Sequence, residues 1–172
     1  MHARLLRSAI VRLLCAAALA AGPGLLVADL RACLQSRWVV DVVQSGDAKS
    51  EREHDFASDG ASDGIVAGRA FRQAGASGWL RYTLRSYDDT ALTVACLCRG
   101  TEGRRVTVEL LIDGQAAGTH TLESPSAEPV LKEWRVPERL TRGKTTITLM
   151  LRGVGGPTPG VIELRTVQEH LE

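Results

Sequence analysis

Four residues carry the side chains best suited to recognising a ligand: His54, Arg69, Arg72 and Trp79. An indole offers an apolar face on which a sugar ring can stack, with one N–H at its edge. A guanidinium is a planar fork that hydrogen-bonds hydroxyls or carboxylates. An imidazole adds one further polar contact. Together they make the expected ligand-binding set of a weak glycan site. Each residue also has a plainer reading. Arg69 and Arg72 can be solvated, or paired with nearby acids. A tryptophan in a chain with only 4% aromatic residues can be core. Trp79 precedes Leu80, and Leu80, Tyr82 and Leu84 form an apolar row. On a strand, Trp79 therefore points away from that row, toward a surface or a covering loop. Trp134 carries the same two readings, core or surface.

Other chemistries find less support. Glu51, Glu53, His54, Asp55, Asp59 and Asp63 form an acidic cluster. Two of them could serve as the paired carboxylates of a glycosidase, or several could hold calcium. The ordinary reading is a solvated loop, and the strict spacing of a calcium loop is absent. Cys96 and Cys98 fall on one face of an apolar run, Leu92 to Cys98, with Cα atoms roughly 6.5–7 Å apart, at the limit for a disulfide. They read as small core residues, or one of them pairs with Cys33. His54, His120 and His170 are scattered, without the spacing of a zinc site. No Gly-x-Ser-x-Gly elbow, phosphate loop or His-Glu-x-x-His pair occurs. No catalytic residue, metal or cofactor is assigned.

The elements that must position these residues read as short strands. Trp38–Val43, Gly78–Arg85, Leu92–Cys98, Arg105–Ile112, Gln115–Leu122, Val130–Val136, Lys144–Leu151 and Gly160–Val167 are β-branched or alternate apolar with polar. Asp113-Gly114 between two such runs is a hairpin signal. On Gly160–Val167, alternation sets Val161, Glu163 and Arg165 against Ile162 and Leu164. No sustained helical period follows residue 30; Pro137 to Leu140 allows one turn. Gln44 to Ala76, rich in small and polar residues, is expected to form long surface loops with two short edge strands. About eight strands with one polar face each predict an all-β fold, an antiparallel two-sheet β-sandwich of jelly-roll or galactose-binding-like type. Val108, Leu110, Leu149 and Leu84 are expected in its core.

The 172 residues carry a net charge of +1, which argues against a nucleic-acid partner. Arg4, Arg7 and Arg12 precede an uncharged run from Leu13 to Ala28, the order of a secretory signal peptide. The run is too short for a spanning helix, and Gly22-Pro23-Gly24 would break it. Cleavage is expected after Ala20 or Ala28; an uncleaved anchor and a mis-assigned start are the alternatives. The expected organisation is a signal peptide over 1–28, a linker over 29–37, the sandwich over 38–168 and a tail over 169–172. The mature chain then has no membrane span and is periplasmic or secreted.

Several phrases together resemble the C-terminal β-sandwich domain of glycoside hydrolase family 127, the β-L-arabinofuranosidase-like proteins. They are Ser50-Glu51-Arg52-Glu53-His54-Asp55-Phe56, Gly68-Arg69-Ala70-Phe71-Arg72-Gln73-Ala74 with Gly78-Trp79-Leu80-Arg81-Tyr82, Arg104-Arg105-Val106 leading to Ile112-Asp113-Gly114-Gln115, and Val136-Pro137-Glu138-Arg139-Leu140. The resemblance implies an accessory domain. In that family catalysis belongs to a separate α/α-barrel with a zinc-bound cysteine, and none of those site residues maps onto this chain. The function it implies is a non-catalytic exported module, binding a glycan or accompanying a catalytic glycoside hydrolase partner. The alternative is a structural or protein-interaction domain of the cell envelope with no sugar ligand.

Overall fold

The computed structural model describes residues 38–87 and 91–168. The expected signal peptide, linker and C-terminal tail lie outside the described residues, as do Cys15 and Cys33. Among the described residues the elements are β1 (Trp38–Gln44), α1 (Ala48–Glu53), β2 (Ala57–Val66), β3 (Arg69–Arg85), β4 (Leu92–Cys98), β5 (Val106–Ile112), β6 (Gln115–Leu122), β7 (Val130–Arg135), a 3-10 turn (Glu138–Leu140), β8 (Thr146–Gly153) and β9 (Val161–Gln168). No helix among them is long and apolar enough to cross a membrane.

The strands hydrogen-bond in the order β6-β5-β8-β3-β9-β4-β7, with β2 added to β3 and β1 to β9. The ladders β2/β3, β3/β8, β4/β7, β4/β9, β5/β6 and β5/β8 are antiparallel. One strand joins the two layers. The 17-residue β3 pairs with β8 over Trp79–Arg85, and its amino-terminal half meets β9 where Arg72 faces Val161. The sandwich is therefore one sheet curled on itself, antiparallel and nearly all β.

Alternation supplies the core. Leu80, Tyr82 and Leu84 of β3, Val108, Leu110 and Ile112 of β5, and Ile147, Leu149 and Leu151 of β8 face Val94, Cys96 and Cys98 of β4 and Leu164 of β9. Val108, Leu110, Leu149 and Leu84 are fully buried, as their alternation predicts. Each buried aliphatic side chain contributes about 1.5–3 kcal/mol of transfer free energy. Trp134 is core, stacked on His120 with ring centroids 5.4 Å apart. Cys96 and Cys98 are fully buried thiols with sulfurs 3.2 Å apart. Burial pushes the Cys96 thiol well above its ordinary value, so it stays protonated and packs as a small core residue.

Two expectations need correction. The segment from Gln44 to Ala76 is mostly regular structure. Asp47 caps α1, its carboxylate accepting the Ser50 N–H at 2.7 Å. After α1, β2 and the first half of β3 form a hairpin closed by Ala67-Gly68, both in the left-handed region at φ +48° and +72°. Apolar alternation is missing because β2 is an edge strand whose residues are mostly exposed, so nothing requires a row of large side chains there. The second correction concerns β9. A register shift opposite Leu97/Cys98 lets Val161 and Leu164 both enter the core, while Glu163 and Arg165 face the other way.

Candidate functional site

The outer face of the β2-β3-β8-β5 layer carries the exposed chemistry. Its register is fixed by the buried row beneath. Because Leu80 and Tyr82 point inward, Trp79, Arg81 and Thr83 point outward. Trp79 lies opposite Asp59 of β2 and Arg152 of β8, and Arg152 lies opposite Glu109 of β5. The next row holds Arg81, Met150 and Leu111. The indole is half-buried, and the Arg81 guanidinium sits 5.8 Å from its ring centroid. Arg152 donates through Nε to Glu109 Oε2 at 2.9 Å, and a second nitrogen reaches the same oxygen. The result is a face on which the half-buried Trp79 and Met150 are bordered by guanidinium and carboxylate groups, with Leu111 buried beside Met150. Such a surface can stack a ring and hydrogen-bond its edge. It holds no nucleophile beside a base.

The structure does not bring the other three expected residues to this face. His54 follows α1; its Nδ1–H donates to the Ser50 carbonyl at 2.7 Å, and Nε2 stands 3.2 Å from Asp41 Oδ1. Asp41 also accepts the Arg85 and Val42 N–H groups. Burial pushes the Asp41 carboxyl up, but the Arg85 N–H and His54 outweigh it and hold it below its ordinary value. The pair thereby fastens β1 to the end of β3. Arg72 forks onto Glu51 of α1, Nε to Oε1 at 2.7 Å and Nη2 to Oε2 at 2.9 Å. The Gly46 N–H also donates to Glu51, at 2.7 Å. Arg69 donates to Glu163 Oε2 at 2.9 Å, beside Gln44 at 2.7 Å, while Arg165 holds the other oxygen. Burial pushes the Glu163 carboxyl up, but these three donors win and keep it below its ordinary value. His54, Arg69 and Arg72 thus hold strands together, and only Trp79 of the four belongs to the outer face.

The acidic cluster is dispersed over α1, the turn after it and β2. Among the described residues no three His, Cys, Asp or Glu side chains gather as metal ligands. Arg81, Glu109, Met150 and Arg152 are the site residues that sequence reasoning missed, while Asp59 reads there only as part of the acidic cluster. Their signal is outward parity on alternating strands, but joining them needs the β3/β8 and β5/β8 registers, which are long-range.

With this architecture the protein is a jelly-roll β-sandwich of the kind seen in carbohydrate-binding modules. A family 35 module from Paenibacillus barcinonensis superposes with a TM-score of 0.56 at 10% identity, covering 73% of this chain and 97% of that one. A module of Cellvibrio mixtus lichenase 5A, solved with cellotriose, gives 0.56 at 12% identity over 77% and 100%. A family 36 module in complex with calcium and xylotriose gives 0.54 at 11% identity over 74% and 99%. At these identities the likeness is one of fold. Residues 35–167 match a family of unknown function, DUF6805, and the chain belongs to that family. No curated protein matches the sequence.

Proposed function

We propose that this protein is a non-catalytic glycan-binding module, exported to the periplasm or beyond, that serves a glycoside hydrolase. The observation that carries the reading is Trp79, a half-buried indole on the outward side of the sheet, beside the Arg152–Glu109 pair and Arg81. Sugar rings offer an apolar face for the indole and hydroxyls for the guanidinium and carboxylate groups around it. The shared fold with modules solved on cellotriose and xylotriose supports the ligand class. The resemblance to the accessory domain of family 127 supports the hydrolase partner. A shallow face with few contacts gives millimolar to micromolar binding, about −4 to −8 kcal/mol.

Affinity electrophoresis through gels of neutral plant and bacterial polysaccharides tests the proposal. Retardation by at least one polysaccharide is expected. Trp79→Ala should abolish it while shifting thermal unfolding little, because the indole is not in the core. No retardation by any glycan, with the fold intact, leaves the envelope-domain alternative. Release of reducing sugar by the purified protein overturns the non-catalytic reading.

A further inference from the structure

The β4–β5 connection and the segment before β9 enclose a cleft of ≈ 170 Å³ at one end of the sandwich. Arg99, Arg104 and Arg105 line it with Gln73, Pro157 and Pro159, and no carboxylate does. It is much smaller than a drug-sized pocket, a space for one ring rather than a chain.

The connection is tightly held. Glu102 and Gly103 turn the chain at φ +54° and +77°, and the Arg104 N–H closes on the Thr101 carbonyl at 3.0 Å. Thr101 and Ser124 exchange hydrogen bonds, Thr101 N–H to Ser124 Oγ at 2.7 Å and Ser124 N–H to Thr101 Oγ1 at 2.8 Å. The Gly103 N–H reaches the Ser124 carbonyl at 2.7 Å. At Gly100 a side chain would strike the Ser126 carbonyl at 2.1 Å, so the loop lies directly on the β6–β7 connection. Arg99 packs over Phe71, 5.9 Å from the ring centroid.

Glu102 restrains two of the arginines from outside the cleft. Its Oε2 accepts Arg99 Nη2 at 2.7 Å and Arg104 Nη2 at 3.3 Å. A guanidinium has five N–H donors, so these contacts leave donors on both residues for the cleft. Arg105 approaches Glu123 only to 3.8 Å, with both side chains mostly exposed. A pair so exposed holds its cation weakly. The cleft therefore presents three cations on a fixed loop, Arg99 held firmly by Glu102 and over Phe71 and the two more exposed ones free to turn toward a ligand, beside two proline rings. Guanidinium forks match a carboxylate in plane, and the prolines match the body of a ring.

We infer that this end cleft binds a uronate residue of an acidic glycan, through Arg99, Arg104 and Arg105, as a second site separate from the Trp79 face. This rests on the glycan-binding reading and adds the charge of the ligand to it. The test is calorimetric titration of the full chain with oligosaccharides of galacturonate, glucuronate and mannuronate, their methyl esters, and sodium sulfate. At least one free acid should bind about tenfold or more tighter than its ester, the loss expected when charge-assisted hydrogen bonds are removed. The preference should fade with added salt. The double variant Arg104→Gln/Arg105→Gln should erase it without changing thermal unfolding, since these side chains are 69% and 76% exposed. Equal binding of acid and ester throughout, retention of the preference by the double variant, or equal competition by sulfate alone overturns the inference. Loss of Trp79-dependent retention on neutral glycans marks failure of the other reading, because the double variant leaves that face intact.

Discussion

Glu163 shows how single residues in this protein are committed. It lies on β9 with its side chain only 8% exposed, yet accepts from Gln44, Arg69 and Arg165. Its carboxyl is held below the ordinary 4.5. A group whose folded value is depressed stabilises the fold above the unfolded value and loses that effect as pH falls through the folded one. Denaturant midpoints should thus be flat from neutral pH to about 5, then fall below about 4.5. Glu163→Gln should remove part of that acid limb and cost about 1–2 kcal/mol at pH 7, since the arginines are a third exposed and partly screened. Urea titrations across pH for both proteins check this. An identical acid limb in the variant would assign the effect to other carboxylates, Asp41 first. The same commitment explains what was legible at this scale. Trp79 follows from parity with Leu80, a local relation. Arg72 pairs with Glu51 of the acidic cluster, one of the partners its surroundings allowed. Arg69 pairs with Glu163, 94 positions away, and no local pattern announces a contact made by a curled sheet.

Elements were legible where a strand has a dry face and a wet one. Leu92–Cys98 and Gln115–Leu122 have the bounds read from alternation, and the Asp113-Gly114 turn joins β5 to β6 with both residues at positive φ. Asp113 also accepts the Thr148 N–H at 2.7 Å, tying that turn to β8. Two elements are legible only in part: β9 reads as a strand over Gly160–Val167 but with the wrong facing, and the Gln44–Ala76 segment as loops with only short edge strands. The β2 edge has little dry face, and β9 has two covered faces broken by a register shift. Leu110 tests the well-read class. It is fully buried at the centre of the β6-β5-β8 layer. Leu110→Ala should cost about 2–5 kcal/mol in equilibrium unfolding, from lost burial and the cavity left behind. A cost below about 0.5 kcal/mol, the size of ordinary surface changes, would mean that this side chain does not face the core.

For the whole molecule, the decisive feature is that β3 belongs to both layers. Between its halves lies the irregular stretch Gly75 to Gly78, where Ser77 takes φ +62° and a side chain at Gly78 would meet the Asp59 carbonyl at 2.6 Å. The β2/β3 register shifts across this stretch, from Ala61 opposite Ala74 to Asp59 opposite Trp79. In a sandwich of two separate sheets, one layer can open while the other persists. Here the half of β3 that pairs with β8 runs on into the half that meets β9 where Arg72 faces Val161, so one strand ties the two layers together. Native-state hydrogen exchange should therefore find the slowest amides of β3, β8, β9 and β4 opening in a single event, with one free energy equal to that of global unfolding. Two distinct plateaus, one per layer, would contradict this. A module built this way resists piecemeal fraying: a protease that must wait for local opening finds its chance only when the entire domain lets go.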